Sequence, residues 1–471
     1  MTSGRQAGKA VVLTLVLVLV LVGAAGAGAT VLWSRGSLNE LICDGACGPS
    51  AIATPDALAR DASPAGSSPT GASTGRLDPA AIEAAVRDDL TAGDLGSHVG
   101  FAAVDPADGK VVASTGSGGY VPASTTKLLT GVAALTELDP QERFITRVMR
   151  TDDRIVLVGG GDPYLATRLP RQKEYAVEAD LVTLAKRTVD ALRRLGMTSV
   201  RLDYETSLFT GPTASPAWEA SYVGQKIVTP VSALWADKGV ASGTRTDNAP
   251  RAAAEAFAKL LERRGITVTG SPIETKAPST ADPLASIRSA TVAQIVEAMI
   301  AQSDNEAAEV LLRQAAIAAG QPATFDGGVE TVRSVLSRLD VDVSDLELTD
   351  GSGLSRKNRI APRTLAEVVA IAARTAHTDS LVSDLAVGGF TGTLARRFGK
   401  VDSGRGVVRG KSGTLTGVHS LAGYVTDQSG TPIAFAVMTD RTKSINPFLT
   451  EAALDRVAAA LADCSCSRPV P

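Results

Sequence analysis

The chain has 471 residues, 44 % hydrophobic and 21 % charged, proportions that suit a buried core and exclude wholesale disorder, collagen and a disulfide miniprotein. That length suggests two to four domains. With 47 basic and 50 acidic side chains, a net −3, no global basic field argues for nucleic acid. Three histidines, His98, His377 and His419, form no HxxxH or HExxH pair, which argues against a zinc hydrolase.

Residues 1–9 hold Arg5 and Lys9 and no acid, and read as a cytoplasmic n-region. Residues 10–33 are an uncharged run of 24. As a helix it would reach about 36 Å, enough to cross a bilayer core of roughly 30 Å. Basic residues ahead of it place the N-terminus inside and the rest outside. The strongly apolar part, 10–22, also has signal-peptide length, with Ala25-Gly26-Ala27 or Ala27-Gly28-Ala29 for cleavage. A transmembrane anchor and a signal peptide both export the chain. Residues 34–77, rich in Ala, Ser, Pro, Gly and Thr, read as a flexible extracytoplasmic linker. Four cysteines sit at the two ends, Cys43 and Cys47, then Cys464 and Cys466 in the tail 464–471. In an oxidising compartment three pairings are open, one of which staples the linker to the C-terminus.

Helix signals follow at 79–90, where Asp78 is an N-cap and Pro79 the first position. Residues 99–114 read as a hairpin, 124–138 as a helix, and 143–160 as two strands around Asp152-Asp153. Amphipathic helices are expected at 180–195 and 252–264, each ended by glycine, and further helices at 292–300, 307–319 and 364–377. Period two then sets in, with strands at 407–415, 420–426 and 432–439 before a closing helix at 447–462. Strands beside helices at both ends predict one antiparallel sheet from N- and C-terminal segments, with the middle as an insertion.

Three short motifs stand in order: Ser124-Thr125-Thr126-Lys127, Ser303-Asp304-Asn305 and Lys411-Ser412-Gly413-Thr414. Alone, Ser124 reads as a helix cap and Lys127 as a solvated lysine; the ordered triple reverses that. Three residues apart on a helix, Ser124 and Lys127 share a face. The helix start favours a developing oxyanion there. A serine hydroxyl needs a base, and a desolvated lysine near another cation can be that base. Lys411 supplies the cation, Ser303 can relay a proton to the leaving amine, and Asn305 can bind a peptide amide.

The triple resembles the serine penicillin-recognising enzymes, the β-lactamases and D-alanyl-D-alanine peptidases. Residues 157–163 (LVGGGDP), 349–356 (TDGSGLSR), 392–394 (GTL) and 413–418 (GTLTGV) narrow the resemblance to class C low-molecular-mass penicillin-binding proteins, the S13 peptidases, over roughly 78–461. The resemblance implies an α/β (α+β) fold, a penicillin-binding-protein or serine β-lactamase-like transpeptidase fold. In it an antiparallel sheet is flanked by helices and a second domain is inserted. It implies a D,D-peptidase domain at 78–140 and 285–463 and an inserted domain at 141–284. Lys127 and Ser303 are 176 positions apart, which leaves room for that insertion. Relatives carry a further nested domain there. This chain has only a short polar stretch, 236–250, so the nested domain is read as largely missing. Ser412 stands where relatives often have Thr.

By resemblance, Ser124, Lys127, Ser303, Asn305 and Lys411 are catalytic, and the backbone N–H groups of Ser124 and Thr414 form the oxyanion hole. Ser412, Gly413 and Thr414 bind substrate, Gly413 by letting its backbone lie close and Thr414 by holding its free carboxylate. Ser352, Leu354 and Arg356 border the side-chain pocket, with Arg356 toward a diaminopimelate carboxylate. The implied enzyme is a hydrolase, a serine-type D-Ala-D-Ala carboxypeptidase with D,D-endopeptidase action open. Its substrates are peptidoglycan peptides ending in D-Ala-D-Ala, its covalent inhibitors β-lactams, and it works in the cell envelope without metal or cofactor. A serine β-lactamase is the alternative enzyme, although no ExxLN segment lies between Asn305 and Lys411. A non-catalytic wall-binding protein is the third reading.

Overall fold

The computed structural model describes residues 75–170, 175–241, 243–443 and 446–469. The predicted export segment, most of the linker, and Cys43 and Cys47 lie outside these residues. No helix among the described residues is long and apolar enough to cross a membrane.

A six-stranded antiparallel sheet joins the two ends of the chain, as expected. Its order is Ala386–Val387, Arg409–Leu415, Val418–Thr426, Pro432–Thr439, Val99–Val104 and Val111–Thr115. The seam pairs Val437 with Phe101 and Ala436 with Ala102. Successive side chains of a strand point to opposite faces, and both faces here are covered. Ile433, Phe435 and Val437 pack with Ile82, Val86, Leu454 and Leu461 of the terminal helices Pro79–Leu90 and Pro447–Asp463. Ala434, Ala436 and Met438 face the other core, with Leu128, Val132 and Ala370. Small alanines on that face let helix Pro362–Arg374 lie close to the sheet.

A second, five-stranded sheet is built from residues 143–291, in the order Asp282–Thr291, Arg143–Thr151, Arg154–Val158, Ser199–Glu205 and Thr267–Thr269. Its last two pairings are parallel. Parallel neighbours need long crossovers, and helices Leu181–Arg194 and Ala249–Glu262 supply them. Strand Asp282–Thr291 runs across position 284 and leads straight into helix Val292–Gln302, which begins with a Thr291–Gln294 capping box. The polar stretch 236–250 holds a two-residue hairpin pairing Val240 with Arg245.

Strand Gly75–Leu77 pairs with Ser467–Pro469, so a backbone ladder joins the two ends of the described chain. Cys464 is bonded to Cys466. Of the three pairings left open by the sequence, this is one that joins neighbours in the C-terminal tail and not the one that staples the linker to the C-terminus. Cys466 is buried and its carbonyl accepts the Asp78 N–H at 2.7 Å.

Two helices lie in the interior with nearly every residue covered, Thr126–Glu137 and Asn305–Ala318. A helix apolar all round belongs in a core. The buried charged groups on them are Lys127 on the first helix and Glu306, Glu309 and Arg313 on the second.

Candidate active site

Ser124 lies in a single 3₁₀ turn, Ala123–Thr125, just ahead of helix Thr126–Glu137, rather than inside it. The turn is pinned from several sides. Thr125 and Ser420 hydroxyls donate to the Pro122 carbonyl at 2.7 and 2.6 Å, and the Thr126 hydroxyl donates to the Ala123 carbonyl at 2.8 Å. Ala123 has φ +49°, in the left-handed region. Such a conformation costs an L-residue about 1–2 kcal/mol, so the surrounding contacts hold it there. Gly353 approaches from outside at φ +82°, where a Cβ would come within 1.8 Å of the Ala123 oxygen.

Lys127 is fully buried. Its Nζ lies 3.0 Å from Ser124 Oγ, 2.8 Å from Asn305 Oδ1 and 2.6 Å from the Ser352 carbonyl oxygen. Two of these partners are carbonyl oxygens, which only accept. A neutral amine has two hydrogens and one lone pair. If both hydrogens go to the carbonyls, the lone pair is left for the Ser124 hydroxyl. Burial pushes the Lys127 amine down to about 8, against the pull of Glu309, Asp350, Asp304 and Glu306. At pH 7 roughly one molecule in ten then has the free base.

Ser303 caps helix Val292–Gln302 with φ +57°, and Asp304 starts the next helix by accepting the Ala307 N–H at 3.0 Å. This sharp junction sets Ser303 and Asn305 on the same cleft. The Ser303 hydroxyl accepts from Lys411 Nζ at 2.9 Å, and Lys411 also donates to the Ser412 carbonyl at 2.8 Å. Burial and the neighbouring Lys127 charge hold the Lys411 amine well below the usual lysine range. All five residues read as catalytic are therefore brought together, in two groups: Ser124–Lys127–Asn305 and Ser303–Lys411.

Strand Arg409–Leu415 pairs outward only at Arg409 and Gly410, with Val387 and Ala386. Among the described residues no strand covers 411–415 on that side. Ser412 Oγ is 3.0 Å from Thr393 Oγ1 of the GTL segment. Gly413 is required to be glycine by the protein's own packing. A Cβ there would meet Ser420 Oγ at 2.3 Å, the Pro122 oxygen at 2.6 Å and the Ser124 nitrogen at 3.0 Å. The close approach is by the protein's own nucleophile turn. Thr414 is exposed, with its hydroxyl 3.5 Å from Glu451 Oε1.

The residues 349–356 fold behind Lys127. The Glu309 carboxylate accepts the N–H groups of Gly351 at 3.0 Å and Ser352 at 2.9 Å. Burial and the charge of Asp350 push Glu309 up to about 7. Asp350 itself accepts from Gly353 and Ser355 N–H, Trp218 Nε1 and Asn358 Nδ2 at 2.7–3.0 Å. Ser352 and Leu354, expected to border the substrate, are both buried, and Ser352 meets Lys127 through its carbonyl. Arg356 is half-exposed, 3.1 Å from Glu219 and 2.7 Å from the Thr416 carbonyl. Glu309, Asp350 and Glu219 were not singled out by sequence reasoning. For Glu309 a signal exists, an acid one turn beyond Asn305 on the largely apolar helix Asn305–Ala318.

His419 stands opposite Thr414 on the neighbouring strand. Burial and Arg397 push it down to about 4, which leaves it neutral. Among the described residues no group of three or more His, Cys, Asp or Glu is placed to hold a metal.

Residues 82–251 and 242–461 match the D-Ala-D-Ala carboxypeptidase 3 (S13) family. The chain is 35 % identical over 360 residues to the carboxypeptidase Rv3627c of Mycobacterium tuberculosis, covering 74 % of this chain and 76 % of that one. It is 34 % identical over 362 residues to the carboxypeptidase DacB of Mycolicibacterium smegmatis, covering 73 % and 76 %. Its fold is similar to penicillin binding protein 4 (dacB) of Haemophilus influenzae, with TM-score 0.67 and 21 % identity over 81 % of this chain and 98 % of that one. A second structure of that protein is complexed with a β-lactam, with TM-score 0.61 at 22 % identity over the same shares. The ordered motifs, the sheet that joins both ends of the chain and the match across nearly all of 82–461 agree: the chain belongs to the D-Ala-D-Ala carboxypeptidase 3 (S13) family.

Proposed function

We propose that Ser124 is the nucleophile of a serine D-Ala-D-Ala carboxypeptidase acting on peptidoglycan stem peptides. The observation that carries this is the three-way environment of Lys127 Nζ. Two carbonyl oxygens take its hydrogens and the Ser124 hydroxyl faces what remains. The neutral amine takes the Ser124 proton as Oγ attacks the carbonyl of the penultimate D-Ala. The backbone N–H groups of Ser124 and Thr414 receive the oxyanion. Lys411 holds the Ser303 hydroxyl, which relays the proton that Lys127 took from Ser124 to the departing D-Ala nitrogen as the C–N bond breaks, so that Lys127 is neutral again. Water then releases the peptide from Ser124.

The uncovered side of 411–415 suits an extended peptide lying alongside, with Ser412, Gly413 and Thr414 next to it. Arg356, steadied by Glu219, meets the carboxylate of a diaminopimelate side chain at the border formed by 352–356. β-Lactams acylate Ser124 as substrate mimics. Residues 10–33 carry the enzyme out of the cytoplasm as an anchor or a cleaved signal, and it works in the cell envelope. A β-lactamase would need a second base aimed at the acyl group. Glu309, a buried acid beside the 349–356 loop, has both oxygens engaged by the backbone N–H groups of Gly351 and Ser352.

Intact-mass analysis after benzylpenicillin, with the adduct mapped by peptide sequencing, tests the reading. One adduct on Ser124, released slowly, is expected. No adduct, or rapid turnover of a chromogenic cephalosporin, overturns it.

A further inference from the structure

The acids on either side of Asn305 are both held by cations from outside the catalytic motifs. Lys238 pairs with Asp304, and its Nζ lies 5.1 Å from the centroid of the Tyr164 ring. Arg245 pairs with Glu306 through Nη2 at 2.5 Å and Nε at 3.1 Å, and the same carboxylate oxygen accepts the Thr229 N–H at 3.2 Å. Asp304 and Glu306 are only 6 % and 4 % exposed. Buried acids are normally paired, but these two flank the residue whose amide oxygen receives Lys127.

The segment that brings the cations is itself under constraint. Asp237 and Lys238 are consecutive non-glycine residues with φ +49° and +53°. The Asp237 carboxylate holds the Thr167 N–H and hydroxyl, the Thr229 hydroxyl donates to the Lys238 carbonyl at 2.7 Å, and Arg245 donates to the Lys226 carbonyl at 3.0 Å. Strain that persists because its surroundings fix it is a reason to look for function.

Charge supplies the function. Helix Asn305–Ala318 and its cap present Asp304, Glu306 and Glu309 toward Lys127; the 349–356 loop presents Asp350; strand Arg409–Leu415 presents Lys411. All four carboxylates favour the ammonium form of Lys127, and Lys238 and Arg245 sit on two of them.

We propose that Lys238 and Arg245 are positioning residues of the acylation step, fixing Asp304 and Glu306 so that Asn305 meets Lys127, and offsetting two charges that would keep the lysine protonated. This rests on the reading of Lys127 as the base for Ser124. Loss of Lys238 takes the cation away from Asp304, whose Oδ1 still caps a helix N-terminus. Lys127 then holds its proton more tightly.

The test is the pH profile of acylation by benzylpenicillin, read as Ser124 adduct by mass, for the wild type, Lys238→Met, Arg245→Met and Lys238→Arg. Each methionine variant should move the acid limb up by about half a unit to one unit. That is a roughly three- to tenfold loss near neutrality, fading at alkaline pH. Lys238→Arg should keep the wild-type profile. A loss equal at every pH, or an unmoved limb, overturns the proposal. Should Lys238→Met not fold, Lys238→Gln, which keeps a donor for Asp304 without its charge, is read by the same criterion. If the wild type forms no Ser124 adduct, it is the nucleophile reading that falls.

Discussion

Lys127 Nζ lies closer to the Ser352 carbonyl, at 2.6 Å, than to the Ser124 hydroxyl, at 3.0 Å. The lysine is thus held first by the loop behind it and only then aimed at the nucleophile. Its reactivity depends on groups that never touch substrate.

The first consequence is a pH dependence. With the amine pushed down to about 8 by burial, acylation of the wild type should rise about tenfold per pH unit below 8 and level off above it. The sign for stability is the same. The unfolded chain binds this proton more tightly than the folded one, so the Lys127 contribution is fully present only above the unfolded value. It is lost as pH falls through about 8. Stopped-flow acylation across pH checks the first statement; a flat profile from pH 6 to 9 sinks the assignment of Lys127 as base.

Glu309 supplies the second. It holds Gly351 and Ser352 by their N–H groups, so Glu309→Ala leaves two buried donors unpaired. Each costs about 1–3 kcal/mol, and thermal unfolding should fall accordingly. Glu309→Gln keeps one acceptor but turns an amide N–H₂ against a backbone donor. With the Ser352 carbonyl displaced, its acylation rate should drop by about ten- to a hundredfold while the protein stays folded. Wild-type acylation in Glu309→Gln would show that the loop needs no such support.

How much of this was legible in the sequence differs by region. The SxxK, SDN and KSG residues declared themselves because their chemistry is carried by residue type and short spacing. The sheet seam was legible from strands at both ends of the chain. Helix Phe325–Arg338 was not read, because Gly327 and Gly328 break the pattern of its first turn. They are there because a Cβ would come within 2.1 Å of the Pro322 oxygen and 2.4 Å of Leu312. Strand Asp282–Thr291 was not read either. Its burial runs exposed at one end and buried at the other, without period two. Glu309, Lys238 and Arg245 act through partners 42, 66 and 61 positions away, a distance over which spacing carries no signal.

Gly413 yields the third prediction. In Gly413→Ala the new methyl would press on Ser420 Oγ, the Pro122 carbonyl and the Ser124 nitrogen. Overpacking of this kind costs about 1–3 kcal/mol, and it would lever the strand away from the nucleophile turn. Penicillin labelling should fall sharply alongside the loss in stability. Adding Ser420→Ala removes the nearest clash, at 2.3 Å, but not the Pro122 contact, at 2.6 Å. The double variant should therefore regain part of the stability. If Gly413→Ala labels normally, the strand is not wedged against Ser124 as its contacts require.

The fourth concerns the end of that strand. A carboxypeptidase must hold a free carboxylate, and the exposed Thr414 hydroxyl is the donor assigned to it. Glu451 stands 3.5 Å away and offers that hydroxyl a competing acceptor, with a negative charge that repels a substrate carboxylate. The two residues should therefore act in opposite directions. A hydrogen bond to a charged group contributes roughly 1.5–3 kcal/mol, so Thr414→Val should cost about 10- to 150-fold in kcat/KM on a D-Ala-D-Ala terminus. The loss should be much smaller on the C-terminal amide. Glu451→Gln should raise kcat/KM on the free acid and leave the amide nearly unchanged, by a factor that shrinks as salt screens the exposed charge. The comparison of acid and amide in both variants separates a carboxylate site from a general weakening of the strand. Equal losses on both substrates in Thr414→Val, with no gain in Glu451→Gln, would place the carboxylate elsewhere.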